Sequence, residues 1–264
     1  YQFADGVYEV IPVYRGRMID ATAHLDRLDY SLGELRIAPP MGRRALELVI
    51  AQLIARNGLT NGLVYMQVTR GVAPRDHKFP KDVASALVMT TKQTKSLPPS
   101  LLETGVAVIT RPDIRWQRRD IKSVSLLPNI LAKQEASEQG GYEAWLVDEQ
   151  GLITEGSSTN AWIVNHGRDG EAGEIVTRPR SHDILSGITR LAVIALAKER
   201  NLRLVERAFS AAEASAAAEA FLTSSSAFVL PVTQIDGKPV GSGKPGPLTL
   251  RLRQIYLQHA EQAV

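Results

Sequence analysis

The sequence contains no cysteine. That absence excludes disulfides, thiolate metal ligands and a cysteine nucleophile together, and it fits a cytoplasmic protein. No apolar run approaches the length needed to cross a bilayer, so no membrane partner is expected. Aromatic residues make up only 6% of the chain, and the net charge is only +3 over 264 residues. The basic residues are scattered rather than grouped in a stripe with aromatics, which argues against a nucleic-acid partner. The five histidines, His24, His77, His166, His182 and His259, lack metal-ligand spacing, so no metal is expected. There is no Walker A loop and no Gly-x-Gly-x-x-Gly, which argues against both familiar nucleotide cradles. The first residue is Tyr1, and Gln2-Phe3-Ala4-Asp5-Gly6 reads as the interior of a domain. That predicts further sequence ahead of Tyr1.

What is present is ordinary for a globular protein: 44% hydrophobic and 22% charged residues. The length suffices for one large domain or two smaller ones. Alternation predicts a strand over 6–14, with Val7, Ile11 and Val13 on one face and Tyr8 and Val10 on the other. Pro12 within it suggests an edge or a bulge. A helix is expected over 23–35, with Leu25, Leu28 and Leu32 in one stripe and Arg27 on a different side. A second helix (42–56), two strands (63–69 and 84–91) and a loop over 71–77 follow. The stretch 95–100 holds two prolines and no periodicity, so it reads as a linker. The expected division is a small domain over 1–95, a linker over 96–100 and a larger domain over 101–264.

Beyond the linker, the pattern predicts a strand (105–110), a helix (129–139) and a hairpin formed by 142–147 and 152–154. A strand (160–165), a polar loop (166–174) and a short strand (175–177) come next. A helix over 188–200 is apolar nearly all round in its first half. Strands near 202–206, 220–223 and 228–233 and a final helix complete the chain. The alanine-rich 211–220 reads as an ordinary helix former.

Four stretches could carry chemistry. Arg118-Arg119-Asp120-Ile121-Lys122-Ser123 sets a lysine on a short extended segment between a cationic pair and apolar residues. A chemically active lysine must lose its proton easily, which nearby positive charge and partial burial both favour. Ser186-Gly187-Ile188-Thr189-Arg190 opens the apolar helix, with Ser186 as N-cap and no acid in the first turn. Free amides, a hydroxyl and an arginine are then available to an anion such as a phosphate. Thr223-Ser224-Ser225-Ser226 and Gly156-Ser157-Ser158-Thr159, the latter following Glu155, offer more hydroxyls and amides. Each stretch also has a plain reading: a solvated lysine, a capped helix, two polar turns. Together with Arg27, the three hydroxyl-bearing turns suggest a phosphate cup. A lysine, a carboxylate and a phosphate cup suggest pyridoxal 5'-phosphate (PLP). Its chemistry needs an amine for a Schiff base, an acid against the pyridine nitrogen and an anchor for the phosphate.

Five motifs in order resemble those of the class-IV, fold-type-IV aminotransferases. They are Asp5-Gly6-Val7-Tyr8-Glu9, His24-Leu25-Asp26-Arg27-Leu28, Asp120-Ile121-Lys122-Ser123, Thr154-Glu155-Gly156-Ser157-Ser158-Thr159-Asn160 and Leu185-Ser186-Gly187-Ile188-Thr189-Arg190. The resemblance covers essentially the whole chain. Within the family, Pro74-Arg75-Asp76-His77, Leu131-Ala132-Lys133-Gln134-Glu135-Ala136 and Gly141-Tyr142-Glu143-Ala144 look like the branch that acts on D-amino acids. The resemblance implies an α+β (mixed α/β) fold of two domains, the larger with a barrel-like mixed sheet, and PLP between them. It implies transamination between D-amino acids and 2-oxo acids by a cytoplasmic homodimer. Carried over by position, Lys122 would form the Schiff base and shuttle the proton, and Glu155 would pair with the pyridinium nitrogen. Arg27, Ser158, Thr159, Ile188, Thr189, Ser224 and Ser225 would complete the cofactor site. Tyr8, Arg75 and His77 would grip the substrate carboxylate, the last two reaching in from the partner subunit.

The chain departs from the family pattern at Trp162, Ser125 and Pro12, and in lacking the segment ahead of Tyr1. A branched-chain or (R)-amine transaminase and an aminodeoxychorismate lyase would share every cofactor residue; the Arg75-x-His77 pair argues against them. A degenerate PLP-binding dimer is the non-enzyme alternative, and intact Lys122 and Glu155 argue against it.

Overall fold

The computed structural model describes residues 2–94, 97–167 and 173–262. Two compact units emerge: Tyr1–Ser96 with Ile121–Leu126 and Ala260–Val264, and Leu97–Asp120 with Leu127–His259. Lys95 and Ser96, at the start of the expected linker, lie outside the described residues, as do residues 168–172 of the expected polar loop.

The first unit contains β1 (Gly6–Tyr14), β2 (Arg17–Met18), α1 (Ala21–Glu34), α2 (Arg43–Arg56), β3 (Gly62–Thr69) and β4 (Ala86–Gln93). The strands form an antiparallel sheet in the order β2-β1-β3-β4. Alternation along β1 buries Val7, Ile11 and Val13, and α1 packs Leu25, Leu28 and Leu32 into the same core. Leu46, Ile50 and Ile54 of α2 complete it. Each such side chain contributes roughly 1.5–3 kcal/mol when fully buried. Helix α1 departs from the expected single stripe, because His24, Arg27 and Ser31 are buried as well. Their polar atoms meet partners inside the unit, which offsets the cost of that burial. Pro12 lies opposite Leu63 on β3, and on its other side Ile19 donates to its carbonyl at 2.8 Å. Proline has no N–H to return, so the β2 ladder stops there.

The segment Ile121–Leu126 adds an extended edge to β1. Tyr8 N donates to the Lys122 carbonyl at 2.9 Å, Val124 N donates to the Gly6 carbonyl at 3.0 Å, and Val7 bridges Ser123. Ile121 anchors the segment in the core.

The second unit starts with α3 (Pro99–Thr104), β5 (Val106–Pro112), α4 (Leu127–Glu138), β6 (Glu143–Val147), β7 (Ile153–Gly156) and β8 (Asn160–Asn165). It continues with β9 (Glu174–Thr177), α5 (Ile188–Glu199), β10 (Leu204–Glu206), α6 (Ala211–Ser215), β11 (Glu219–Ser224), β12 (Phe228–Ile235), β13 (Lys238–Pro239) and α7 (Pro247–Gln262), of which the residues up to His259 belong to this unit. A curled mixed sheet runs β10-β9-β8-β11-β12-β5-β6-β7, with β13 on β12. Pairing is parallel for β9 with β10, β12 with β5 and β5 with β6, and antiparallel elsewhere. Trp145, Ile163, Val176, Leu222, Leu230 and their neighbours fill its interior.

Two sequence expectations need correction here. Only Ala211–Ser215 of the alanine-rich stretch is helical. Ala218 N donates to the Val164 carbonyl at 2.9 Å and the chain enters β11, so sheet pairing overrides alanine's helix propensity. Pro99 opens α3 inside the stretch read as irregular, and none of that helix is buried, so no apolar periodicity marked it. The β6–β7 hairpin forms as expected, with Asp148 Oδ1 accepting from Gln150 N and Leu152 N at 3.0 and 2.9 Å.

Candidate active site

The first unit gathers Tyr8, Arg27 and Lys122. Lys122 is half-buried, its backbone N donates to Ser31 Oγ at 3.2 Å, and its Nζ lies 4.2 Å from the Tyr8 ring centroid. Tyr65 also stacks with Tyr8, the ring centroids 5.7 Å apart. One strand position further on, Glu9 is fully buried on the core face of β1. It accepts from Arg27 Nε at 2.8 Å and Nη2 at 2.9 Å, and from His24 Nδ1 at 2.9 Å. A carboxylate only accepts, so His24 Nδ1 carries the hydrogen. The fork fixes the plane of the Arg27 guanidinium.

Burial alone would raise the Glu9 carboxyl, but Arg27 and His24 outweigh it and hold it at about 2. Burial pushes His24 below its ordinary value, against the pull of Glu9, while Arg27 and Lys122 add to the depression. Both groups therefore bind more protons when unfolded, and stability falls as pH is lowered. The Glu9 contribution is complete above its ordinary value of 4.5 and is lost as pH drops from there toward about 2. The difference is on the order of 3 kcal/mol. Urea unfolding of Glu9→Gln should show a lower midpoint near neutrality and a flatter pH dependence below about 4.5 than wild type. Parallel curves for the two proteins would remove Glu9 from this role.

Arg75 and His77 are exposed on the loop after β3. Phe3 joins them: the Arg75 guanidinium lies 5.2 Å from its ring centroid, and the His77 ring is also 5.2 Å away. The same loop is pinned at Phe79, whose ring lies 3.6 Å from the Arg70 guanidinium.

The second unit gathers the remaining expected residues at one end of its sheet. Strand β8 begins at Asn160, opposite Thr223 near the end of β11. The turn carrying Ser158 and Thr159 therefore lies beside the turn carrying Ser224 and Ser225. Asn160 also ties in α5: its Nδ2 donates to the Leu185 carbonyl at 3.0 Å, and its Oδ1 lies where a Cβ on Gly187 would fall, 2.0 Å away. Gly187, not Ser186, is the N-cap of α5, with φ −62 and ψ 131, because only glycine allows this approach. The first turn, with buried Ile188 and Thr189, contains no acid and no side-chain cap. Ser224 Oγ accepts from Ala227 N at 3.1 Å and closes the β11–β12 turn. The Ser157–Ser158 turn is held by buried Glu143, which accepts from the hydroxyls of both serines.

Glu155 stands at the centre of this end. Its carboxylate accepts from Arg115 Nη1 at 2.6 Å, Asn160 Nδ2 at 3.0 Å and Leu185 N at 3.1 Å. Burial pushes its carboxyl above the ordinary range, while Arg115 and the Leu185 amide pull it back. Behind Arg115 sits Asp113. Burial would raise Asp113, but the Arg115 fork, Thr154 and Arg119 outweigh it and hold it below its usual value. A carboxylate has about four acceptor positions, and the three donors on Glu155 leave room for one more. Thr159 Oγ1 is buried without a partner among the described residues. An N–H donor for Glu155 and a polar group near α5 would match these residues.

The cationic pair in the lysine stretch is already matched by carboxylates. Arg118 binds both oxygens of Asp120, at 3.0 and 2.8 Å, and Arg119 lies 3.2 Å from Asp113 and 3.5 Å from Asp183. The positive charge expected to bear on Lys122 is thus locally balanced. Sequence reasoning named Glu9 and Asn160 only as motif members without a role, and missed Asp113, Arg115 and Phe3. Glu9 left a further signal, as a charge at a core position of an alternating strand.

The second unit thus carries a hydroxyl-rich sheet end with a buried carboxylate, and the first a lysine edge strand and a buried arginine. The sequence matches the family model described as amino-transferase class IV over residues 6–235, and the chain belongs to that family. It is 40% identical over 260 residues to D-alanine aminotransferase of Bacillus licheniformis, covering 98% of this chain and 89% of that protein. It is 38% identical over 266 residues to D-alanine aminotransferase of Listeria monocytogenes serotype 4b (strain F2365), covering 100% and 89%. Among solved structures, the branched-chain amino acid aminotransferase of Escherichia coli matches with TM-score 0.87 and 25% identity, covering 97% of this chain and 86% of that one. A second branched-chain amino acid aminotransferase, solved with pyridoxamine 5'-phosphate, matches with TM-score 0.88 and 27% identity, covering 98% and 86%.

Proposed function

We propose that this aminotransferase uses PLP to exchange amino groups between D-amino acids and 2-oxo acids. The observation that carries the reading is near-full-length identity of 36–40% to several D-alanine aminotransferases. The exposed Arg75 and His77 beside Phe3 support it chemically, since an arginine fork and an imidazole suit an α-carboxylate.

Bound PLP supplies an electron sink for the bond-breaking at Cα and carries the amino group between the two substrates. Lys122 would hold the cofactor, and its Nζ would take the Cα proton and return it. Glu155 would accept from the ring nitrogen's N–H and keep it protonated. Thr159, the uncapped first turn of α5 with Ile188 and Thr189, and Ser158, Ser224 and Ser225 would hold the phosphate, and Arg27 would add its charge. Tyr8, Arg75 and His77 orient the substrate carboxylate. In this reading the enzyme is a cytoplasmic homodimer, with Arg75 and His77 serving the partner's site.

A branched-chain reading is favoured by the structural neighbours that bear that name. The measurement that separates the two is catalytic efficiency of wild type and Arg75→Ala with D-alanine, with an apolar branched L-amino acid and with a simple chiral amine. Losing one charge-assisted hydrogen bond costs roughly 1.5–3 kcal/mol, so D-alanine efficiency should fall about tenfold to a hundredfold. The cofactor absorbance and the amine reaction should hardly change. Unaffected D-alanine turnover, or a wild-type preference for the amine or for an L-amino acid, would sink the D-amino-acid reading.

A further inference from the structure

We infer that Arg115, clamped by Asp113, is the positioning residue that keeps the Glu155 carboxylate charged and aimed. This deepens the reading of Glu155 as the partner of the cofactor's ring nitrogen, and rests on it. Three charged side chains lie in one buried line. The side chains of Asp113, Arg115 and Glu155 are 0%, 8% and 5% exposed. Arg115 gives Nε and Nη2 to the two oxygens of Asp113, at 2.9 and 2.8 Å, and Nη1 to Glu155 at 2.6 Å. A guanidinium is planar, so fixing two of its nitrogens fixes the third.

Asp113 is held in turn. Thr154, the neighbour of Glu155 on β7, donates to it from Oγ1 at 2.7 Å. Arg119 Nε is 3.2 Å away, close enough for ion pairing but not aligned as a hydrogen bond. The strand that carries Glu155 thus also braces the clamp. Two carboxylates face two guanidiniums here, and Arg190 on α5 also feels Glu155 electrostatically. Without Arg115, Asp113 would keep the Arg119 ion pair at 3.2 Å, while Glu155 would lose the guanidinium now 2.6 Å away. Burial already pushes Glu155 up, and Arg115 is the largest influence against it. A Glu155 that takes up a proton still fills its place but no longer offers a charge to the ring nitrogen.

A merely structural role for the clamp would cost stability and leave protonation alone, so the test reads protonation. In cofactor-free protein at neutral pH, infrared spectroscopy should show no protonated-carboxyl band from Glu155 in wild type. The band should appear in Arg115→Met, vanish in Arg115→Met combined with Glu155→Gln, and be absent in Arg115→Lys, which keeps the charge. In the holoenzyme, 15N NMR of ring-labelled cofactor should report a protonated nitrogen in wild type and an unprotonated one in Arg115→Met. Cofactor affinity should fall about tenfold or more. A Glu155 that stays ionised in cofactor-free Arg115→Met, with an unchanged 15N shift, overturns the inference. Should Arg115→Met fail to fold, Asp113→Asn decides: loosening the clamp must move the 15N signal, and an unmoved signal overturns it. The infrared comparison needs no cofactor, so it decides on Arg115 even where wild type takes no label on Lys122 and the functional reading fails instead.

Discussion

Glu155→Gln should lower turnover by roughly two to three decades, the cost of removing one preorganised electrostatic partner from a buried site. Glutamine retains an oxygen for Arg115 Nη1 and the Leu185 amide, which Glu155 now serves at 2.6 and 3.1 Å. What it removes is the negative charge that, in the proposed reading, keeps a proton on the ring nitrogen. The change leaves Lys122 untouched, so in the proposed reading the cofactor should stay bound and its absorbance should persist. Glu155→Lys is a harsher test, because its ammonium would meet the Arg115 guanidinium where an ion pair now stands. Breaking a buried pair from one side costs about 3–5 kcal/mol, so that variant should lose stability as well as turnover. Steady-state kinetics of Glu155→Gln beside its cofactor absorbance decides the matter. Near wild-type turnover with bound cofactor would remove Glu155 from the ring nitrogen.

The contrast between Glu155 and its support shows which parts of the site can be read from sequence. Glu155, Ser158, Thr159, Ser224 and Ser225 sit in short motifs whose turn chemistry is local, and the structure brings them to one sheet end through the pairing of Asn160 with Thr223. Asp113 and Arg115 follow the end of β5 in a stretch with no periodicity, and they matter only because β7 passes beside them. Such contacts depend on strand order, which no local pattern encodes. The same holds for Gly187: sequence favours Ser186 as a cap by propensity, and only the nearness of Asn160 Oδ1 selects glycine. The alternating strand β1 was legible because burial has period two, and α5 because it is apolar over most of its surface. The short β2 and β13, of two residues each, lack the length to show a pattern. The alanine run failed for the opposite reason, since a strong local preference yielded to pairing with β8 and β12.

Lys122, not Lys133, should carry the cofactor, and Lys122→Ala should lose about a hundredfold to ten-thousandfold in turnover, the range attributed to a positioned proton-transfer group. The two lysines have different surroundings. Lys133 projects from α4 toward Tyr142: its Nζ donates to the Tyr142 carbonyl, lies 3.7 Å from Glu143 and stands 4.6 Å from the Tyr142 ring centroid. A carbonyl, a carboxylate and an aromatic face together hold this side chain in place against β6, as a structural group. Lys122 Nζ meets the face of Tyr8 and pairs with no carboxylate among the described residues. Its backbone is fixed at both ends of the residue, by Ser31 Oγ on its N–H and by Tyr8 N on its carbonyl. The main chain is therefore rigid while the amine can swing, which a group that alternately holds the cofactor and moves a proton requires. Borohydride reduction followed by peptide mapping should place the pyridoxyl group on the peptide containing Lys122. Lys133→Ala should keep both the label and most of the turnover, with a modest loss of stability from the vacated Tyr142 carbonyl. A label on Lys133, or full activity in Lys122→Ala, would overturn the assignment.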